Sequence, residues 1–201
     1  EHAFRSADFA ASQALGKKTY AGKVRDLIID DNEISMIHSD RLTAFDRFIS
    51  LVPYKGVLLT SISEFWLRQA ESVTATHLLR RSDARTLVVK RATPFKIEVI
   101  VRGYLAGSLG RAYAQGDRQI CGVALPERIK PFGLLPEPII TPTTKAEVFE
   151  HDENISVNQI LAQQLCTPSQ WDQIASKALA LFSLGQDVSA KRGWLLVDTK
   201  Y

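Results

Sequence analysis

Cysteine is nearly absent from this chain: Cys121 and Cys166 are the only two among 201 residues, widely spaced and outside any Cys-x-x-Cys pattern. Two such residues give neither a disulfide framework nor a four-ligand zinc site, and a reduced, cytoplasmic setting is expected. Long apolar runs are missing too. Nothing approaches the roughly 20 residues that span a bilayer, and the opening EHAFRSADFA has no apolar signal core, so neither secretion nor membrane insertion is expected. Nor is there an excess of one charge: 25 Lys and Arg are nearly matched by 22 Asp and Glu, for a net charge of +3. That argues against a duplex nucleic acid partner, while local pairs such as Arg80-Arg81 and Lys90-Arg91 suit small anions. No internal repeat or low-complexity segment is found.

What is present is ordinary globular material, 45% hydrophobic and 23% charged, enough for one large domain or two small ones. A helix is predicted over Ala7–Leu15 with Ser6 as its cap and Gly16 as its stop. Strands follow at Lys18–Ala21, Val24–Ile29 and Glu33–His38 as an antiparallel meander, the last two joined by Asp30-Asp31-Asn32. TSISEFWLRQAES reads as a helix that packs Ile62, Phe65, Trp66 and Gln69 on that sheet, and TLVVKR and IEVIVR read as two more strands. Pro126 to Pro142 holds five of the eight prolines and is expected to be an extended, ordered loop. Ser156 with Gln159, and Thr167 before Pro168, mark two helix starts, the second helix carrying Trp171, Ile174, Ala175, Ala178, Leu181 and Phe182 as its apolar stripe. WLLVDTK closes the chain as a strand whose apolar residues, Trp194 to Val197, should be covered. Mixed strands and helices without a regular βαβ array indicate an α+β fold.

Four stretches have residues suited to chemistry, and each has a plainer reading. YAGKVRDL puts Gly22, Lys23 and Arg25 in a tight connection between strands, where glycine lets the backbone approach a ligand and the two cations suit phosphate oxygens. It lacks the pattern of a Walker A loop, and taken alone it fits a hairpin turn with solvated basic residues better. SDRLTAFDR carries Asp40, Arg41, Asp46 and Arg47 just after a strand. A sheet-end site and a salt-bridged surface turn fit it equally well. TPTTKAEVFEHDEN gathers Lys145, Glu147, Glu150, His151, Asp152 and Glu153, a density suited to a hard cation or an amino-acid substrate. On spacing alone a solvated loop ahead of a helix is the better fit. In KIEVIVRGYLAGSLGRAY an apolar strand delivers Arg102 at its end, followed by Gly103, Gly107 and Ser108. A rigid arginine beside a helix-start serine can clamp an anion; the alternative is a structural arginine paired with an internal acid such as Glu98.

In this order GKVRD, SDRLTAFD, PYKGVLLTSISEFW, IEVIVRGYLAGS, TPTTKAEVFEHDENIS and LLVDTK resemble one family, the SAICAR synthetases (phosphoribosylaminoimidazole-succinocarboxamide synthases), from Tyr20 almost to the end. Lys96, where many relatives carry proline, is a small departure. The resemblance implies a small β-rich nucleotide-binding lobe (1–90) and a larger α+β lobe (91–201) with an ATP cleft between them. It implies an ATP-dependent ligase that joins L-aspartate to the carboxylate of carboxyaminoimidazole ribonucleotide through an acyl phosphate, releasing ADP and phosphate, with Mg²⁺ bridging the triphosphate. By the same resemblance Gly22, Lys23 and Arg25 lie on the phosphate loop, Lys90 lies along the nucleotide cleft and Lys145 reaches the phosphates. Arg102, Ser108 and Lys200 hold the ribonucleotide, Asp40 and Asp152 hold substrate or metal, and Lys200 and Asp198 serve in catalysis. Metal ligands and oligomeric state stay unassigned.

In the family the DTK strand runs on into a Glu-Phe-Gly segment and a further acidic, Ser/Arg-containing motif with metal-binding carboxylates. The 201 residues are therefore expected to belong to a longer polypeptide and to lack full Mg²⁺-dependent activity alone. The alternatives are a nucleotide-binding module of the same fold without turnover, should the chain end at Tyr201, and another carboxylate-activating or kinase-like ATP enzyme with a different acceptor.

Overall fold

The computed structural model describes residues 3–45, 47–145 and 152–201, which fall into two compact units, Glu1–Thr93 and Pro94–Tyr201. The first opens with helix α1 (Ala10–Ala14), shorter than the expected Ala7–Leu15. The Ala7 amide is drawn off to the buried Asp26 carboxylate (2.8 Å), and Asp8 rather than Ser6 accepts from the Ala10 amide. Strands β1 (Lys18–Ala21), β2 (Arg25–Ile29) and β3 (Glu33–His38) form the meander, followed by β4 (Arg41–Ala44), β5 (Arg47–Leu51), helix α2 (Lys55–Ala70), β6 (Leu78–Arg81) and β7 (Thr86–Lys90). The main sheet is antiparallel in the order β1-β2-β3-β7-β6, with β4-β5 a separate hairpin.

Helix α2 does not bury the face its apolar spacing indicates. Gly56 and Thr60 are its buried residues, while Ile62 is 52% exposed and Phe65 and Trp66 are also exposed. Backbone proximity decides this: the Thr60 hydroxyl bonds the Gly56 carbonyl (2.8 Å) and the His38 ring (3.0 Å), so the helix approaches β3 through small and polar residues.

The second unit runs β8 (Ile97–Tyr104), α3 (Gly107–Ala114), β9 (Gln119–Ile120), β10 (Val123–Ala124), β11 (Leu134–Thr144), α4 (Val157–Ala162), α5 (Pro168–Ala190) and β12 (Asp198–Lys200). β8 is the centre of an antiparallel sheet, β11-β8-β12. Its odd residues Ile97, Val99 and Val101 join Ile160, Trp171, Ala178 and Phe182 in a buried core. Each such side chain contributes about 1.5–3 kcal/mol relative to exposure. At Gly103 a Cβ would sit 2.9 Å from the fully buried Phe182 ring, so this glycine serves the packing of α5 on β8 rather than approach to a ligand. Both helix starts carry full capping boxes, Ser156 with Gln159 and Thr167 with Gln170.

Two expectations are corrected in this unit. The proline-rich stretch is not a loop throughout, because Pro136, Pro138 and Pro142 lie within β11. β11 is an edge strand with a register break between Leu134 and Ile139, the setting in which a strand tolerates residues that cannot donate to the ladder. The closing strand is only Asp198–Lys200. Leu196 packs on the core, but Trp194 and Leu195 are 68% and 74% exposed, since pairing with β8 begins only at the Val197 carbonyl, which accepts from Gly103. Among the described residues no helix is long and apolar enough to cross a membrane.

Candidate functional site

Strand alternation divides β8 between two duties. The odd residues enter the core, so Glu98, Ile100 and Arg102 share the opposite face. Register adds Thr143, Thr141 and Ile139 of β11 to that face, opposite Glu98, Ile100 and Arg102, and from β12 Lys200 and Asp198, opposite Ile100 and Arg102. A three-stranded sheet thus presents a largely polar, charged surface on the side away from its core.

Arg102 is buried within it. Its Nε donates to Thr141 Oγ1 (2.7 Å), its Nη2 donates to Ser108 Oγ at the start of α3 (3.2 Å), and its Nη1 lies 3.7 Å from Asp198 Oδ2. Burial pulls its pKa below the ordinary value, against the opposing pull of Asp198 and Cys121. A guanidinium stays charged regardless. Only two of its five N–H donors are hydrogen-bonded among the described residues, so a cation fixed in orientation keeps donors for an incoming anion. The pairing with Glu98 that sequence left open is not formed.

Glu98 instead takes lysines. Lys145 approaches its Oε1 at 3.6 Å, Lys200 donates to its Oε2, and Lys200 also lies 3.5 Å from Asp152 Oδ2. The hydrogen bond to Glu98, helped by Asp152 and working against partial burial, raises the Lys200 amine above its ordinary pKa. Two linked groups therefore lie on one face, Arg102–Ser108–Asp198 and Lys145–Glu98–Lys200–Asp152. Of the acidic segment, Glu147, Glu150 and His151 lie outside the described residues, as does Asp46.

The first unit holds the other predicted residues. Gly22 opens the turn between β1 and β2: its amide bonds the Arg25 carbonyl (2.9 Å), and a Cβ there would come within 2.7 Å of that oxygen. The GKVR stretch is thus a tight hairpin turn, whatever it binds. It is anchored from below in a way sequence reading missed. Asp26, fully buried, pairs with Arg41 (2.6 Å), whose guanidinium also donates to the Gly22 (2.8 Å) and Lys23 (3.1 Å) carbonyls. GKVRD and SDR are two halves of one support. Lys90 stands elsewhere: β3 pairs Arg25 with its last residue and Lys90 with its first, about 17 Å apart along the strand.

Asp40 is 1% exposed, and its oxygens accept from the Phe4 and Gly56 amides (both 2.8 Å), with Arg85 at 3.3 Å. It sits at the N-terminus of α2, where a carboxylate is favoured. Burial pushes its pKa up, but the Gly56 and Phe4 amides and Arg85 outweigh it, and the group lies below the ordinary 3.8. Asp40→Ala is expected to cost on the order of 2–4 kcal/mol in urea unfolding, since two amides and a guanidinium lose their acceptor. Because the folded pKa is the lower one, this contribution is full at neutral pH and fades only as pH falls through the folded value. A loss below 1 kcal/mol would instead favour Asp40 as a substrate residue.

Residues 18–201 match the SAICAR synthetase family model. A phosphoribosylaminoimidazole-succinocarboxamide synthase of Bacteroides fragilis is 45% identical over 187 residues, covering 92% of this chain and 60% of the relative. A putative phosphoribosylaminoimidazole-succinocarboxamide synthase 2 of Agrobacterium fabrum is 43% identical over 188 residues, covering 90% of this chain and 59% of the relative. The chain thus spans about three fifths of the length of these relatives. Among solved structures, SAICAR-synthase from Saccharomyces cerevisiae complexed with SAICAR superposes with a TM-score of 0.84 at 28% identity, covering 98% of this chain and 70% of that one. A type-2 SAICAR synthetase in complex with ADP superposes with a TM-score of 0.76 at 27% identity, covering 91% and 73%.

Proposed function

The chain belongs to the SAICAR synthetase family, and we propose on that premise that it acts in an ATP-dependent ligase joining L-aspartate to the carboxylate of carboxyaminoimidazole ribonucleotide, with SAICAR, ADP and phosphate as products in purine biosynthesis. The observation that carries this most directly is the buried Arg102, oriented by Thr141 and Ser108 with N–H donors to spare. The yeast relative holds SAICAR and another holds ADP, both phosphate-bearing ligands of the kind such a cation serves.

In this reading Arg102 and Ser108 hold the ribonucleotide's anionic group. A substrate carboxylate oxygen attacks the terminal phosphorus of ATP and ADP leaves; the aspartate amine then attacks the acyl carbon and phosphate leaves. Lys145 and Lys200 are the cations that meet the charge developing on the transferred phosphoryl group, and Asp198 steadies Arg102. Asp152 holds Lys200 or the amino-acid substrate. Gly22, Lys23 and Arg25 receive the triphosphate, and Lys90, at the far end of β3, serves another part of the nucleotide. Mg²⁺ bound to ATP would neutralise the triphosphate. The acids on this face do not fit it, because Glu98, Asp152 and Asp198 each face a lysine or arginine, and no trio of metal-binding side chains occurs among the described residues. A cytoplasmic setting goes with this reading.

The test is ADP release measured with and without aspartate and the ribonucleotide. Release that depends on both supports the ligase; release indifferent to aspartate overturns it in favour of another acceptor. Lys23→Ala is expected to weaken ATP binding about tenfold or more through loss of a charge-assisted contact. Unchanged ATP affinity in a titration would leave the GKVR stretch a hairpin turn only.

A further inference from the structure

Glu98 lies at the centre of the charged face without a part in the chemistry described above. Thr143 of β11 stands directly across from it, and Val99 exchanges backbone hydrogen bonds with Tyr201 on the other flank. Lys145, two residues beyond Thr143, and Lys200, just before Tyr201, therefore reach Glu98 along diagonals from opposite sides of the central strand, within the span of long side chains. Each takes a different carboxylate oxygen. The Glu98 side chain is 18% exposed whereas both lysines are about half exposed, so the carboxylate is the fixed end of both pairs. Pairs this open contribute little to folding. What they govern is where the two ammonium groups stand.

We propose that Glu98 is a positioning residue that sets the spacing of Lys145 and Lys200 so that both meet one anionic group, an inference that rests on the ligase reading. Without the carboxylate the two like charges repel and their long side chains regain rotamer freedom, so a transition state they serve jointly loses its arrangement. The ribonucleotide contacts of Arg102 and Ser108 do not pass through Glu98.

In the intact gene product Glu98→Gln, which keeps the shape and removes the charge, is expected to lower kcat 10- to 100-fold while the ribonucleotide KM changes less than threefold. Glu98→Asp, a carboxylate too short to reach both lysines well, is expected to fall between. A second readout needs no turnover: brief acetylation with acetic anhydride, followed by mass spectrometry, is expected to label Lys145 and Lys200 severalfold faster in Glu98→Gln, relative to the exposed Lys177 on α5. The direction follows because both amines lose the carboxylate that holds them, and at Lys200 the lost hydrogen bond also lowers the pKa. Unchanged labelling of both lysines overturns the proposal, and so does altered labelling with unaltered kcat. If wild type makes no SAICAR the ligase reading fails by itself, and the labelling ratio decides whether Glu98 holds the lysines. If the Gln variant does not fold, the Asp variant is scored on the same two readouts.

Discussion

Arg41→Ala is expected to lower the stability of the first unit by about 3–5 kcal/mol, a large share of the 5–15 kcal/mol that holds a typical domain folded. Asp26 has no solvent exposure, and its Oδ1 lies 2.6 Å from Arg41 Nη2 while its Oδ2 accepts from the Ala7 amide. Deleting the guanidinium leaves that buried carboxylate without its cation. The same deletion frees the Gly22 and Lys23 carbonyls and the Arg5 carbonyl, so the β1–β2 turn and the N-terminal segment loosen together. The exposed pair Lys17–Asp30 gives the contrast: water screens both groups, and breaking it should cost far less. Urea unfolding followed by circular dichroism measures both. The double variant Asp26→Asn with Arg41→Met is expected to recover part of the loss, because it removes the orphaned charge as well. A loss below about 1 kcal/mol for Arg41→Ala would mean that water reaches Asp26.

Arg102→Ala is expected to weaken ribonucleotide binding by roughly 1.5–3 kcal/mol, one to two decades in affinity, while ATP binding stays within about twofold. Folding should suffer less, because the acid left behind, Asp198, is half exposed and can be solvated, although Thr141 loses its donor. Arg102→Lys should rescue poorly. An ammonium is a point donor that cannot bond Thr141 and Ser108 at once and still present a flat pair of N–H groups to an anion. Calorimetric titration with the ribonucleotide, then with ATP, separates the two sites. Unchanged ribonucleotide affinity would remove Arg102 from the substrate site.

Strand bounds were the most legible part of the fold: β1 and β3 begin and end where the sequence reading places them, with Asp30-Asp31-Asn32 as the turn before β3, and the capping box at Ser156 and the Thr167-Pro168 pair start their helices. α2 misled because apolar spacing does not say which face a helix buries when a glycine and a hydrogen-bonded threonine allow closer backbone approach. β11 was missed because prolines bar a central strand but not an edge. In the site, Arg102 with Ser108 could be anticipated from strand, turn and helix start. Thr141 and Asp26 could not, since their partners lie far along the chain and only cross-strand register or folding brings them together. Glu98 left one trace, its place with Arg102 on the even-numbered face of β8.

The placement of the prolines also gives the second unit's sheet a direction. Along β11 the outer rim is deprived of donors at Pro136, Pro138 and Pro142, and residues 153–155 already occupy its far end through the Thr144 amide, the Glu153 amide and the Pro142 carbonyl. β12, three residues long and free of proline, forms the other rim. Among the described residues the ribbon is capped along β11, while no strand pairs with the outer side of β12, which is therefore the rim suited to extension.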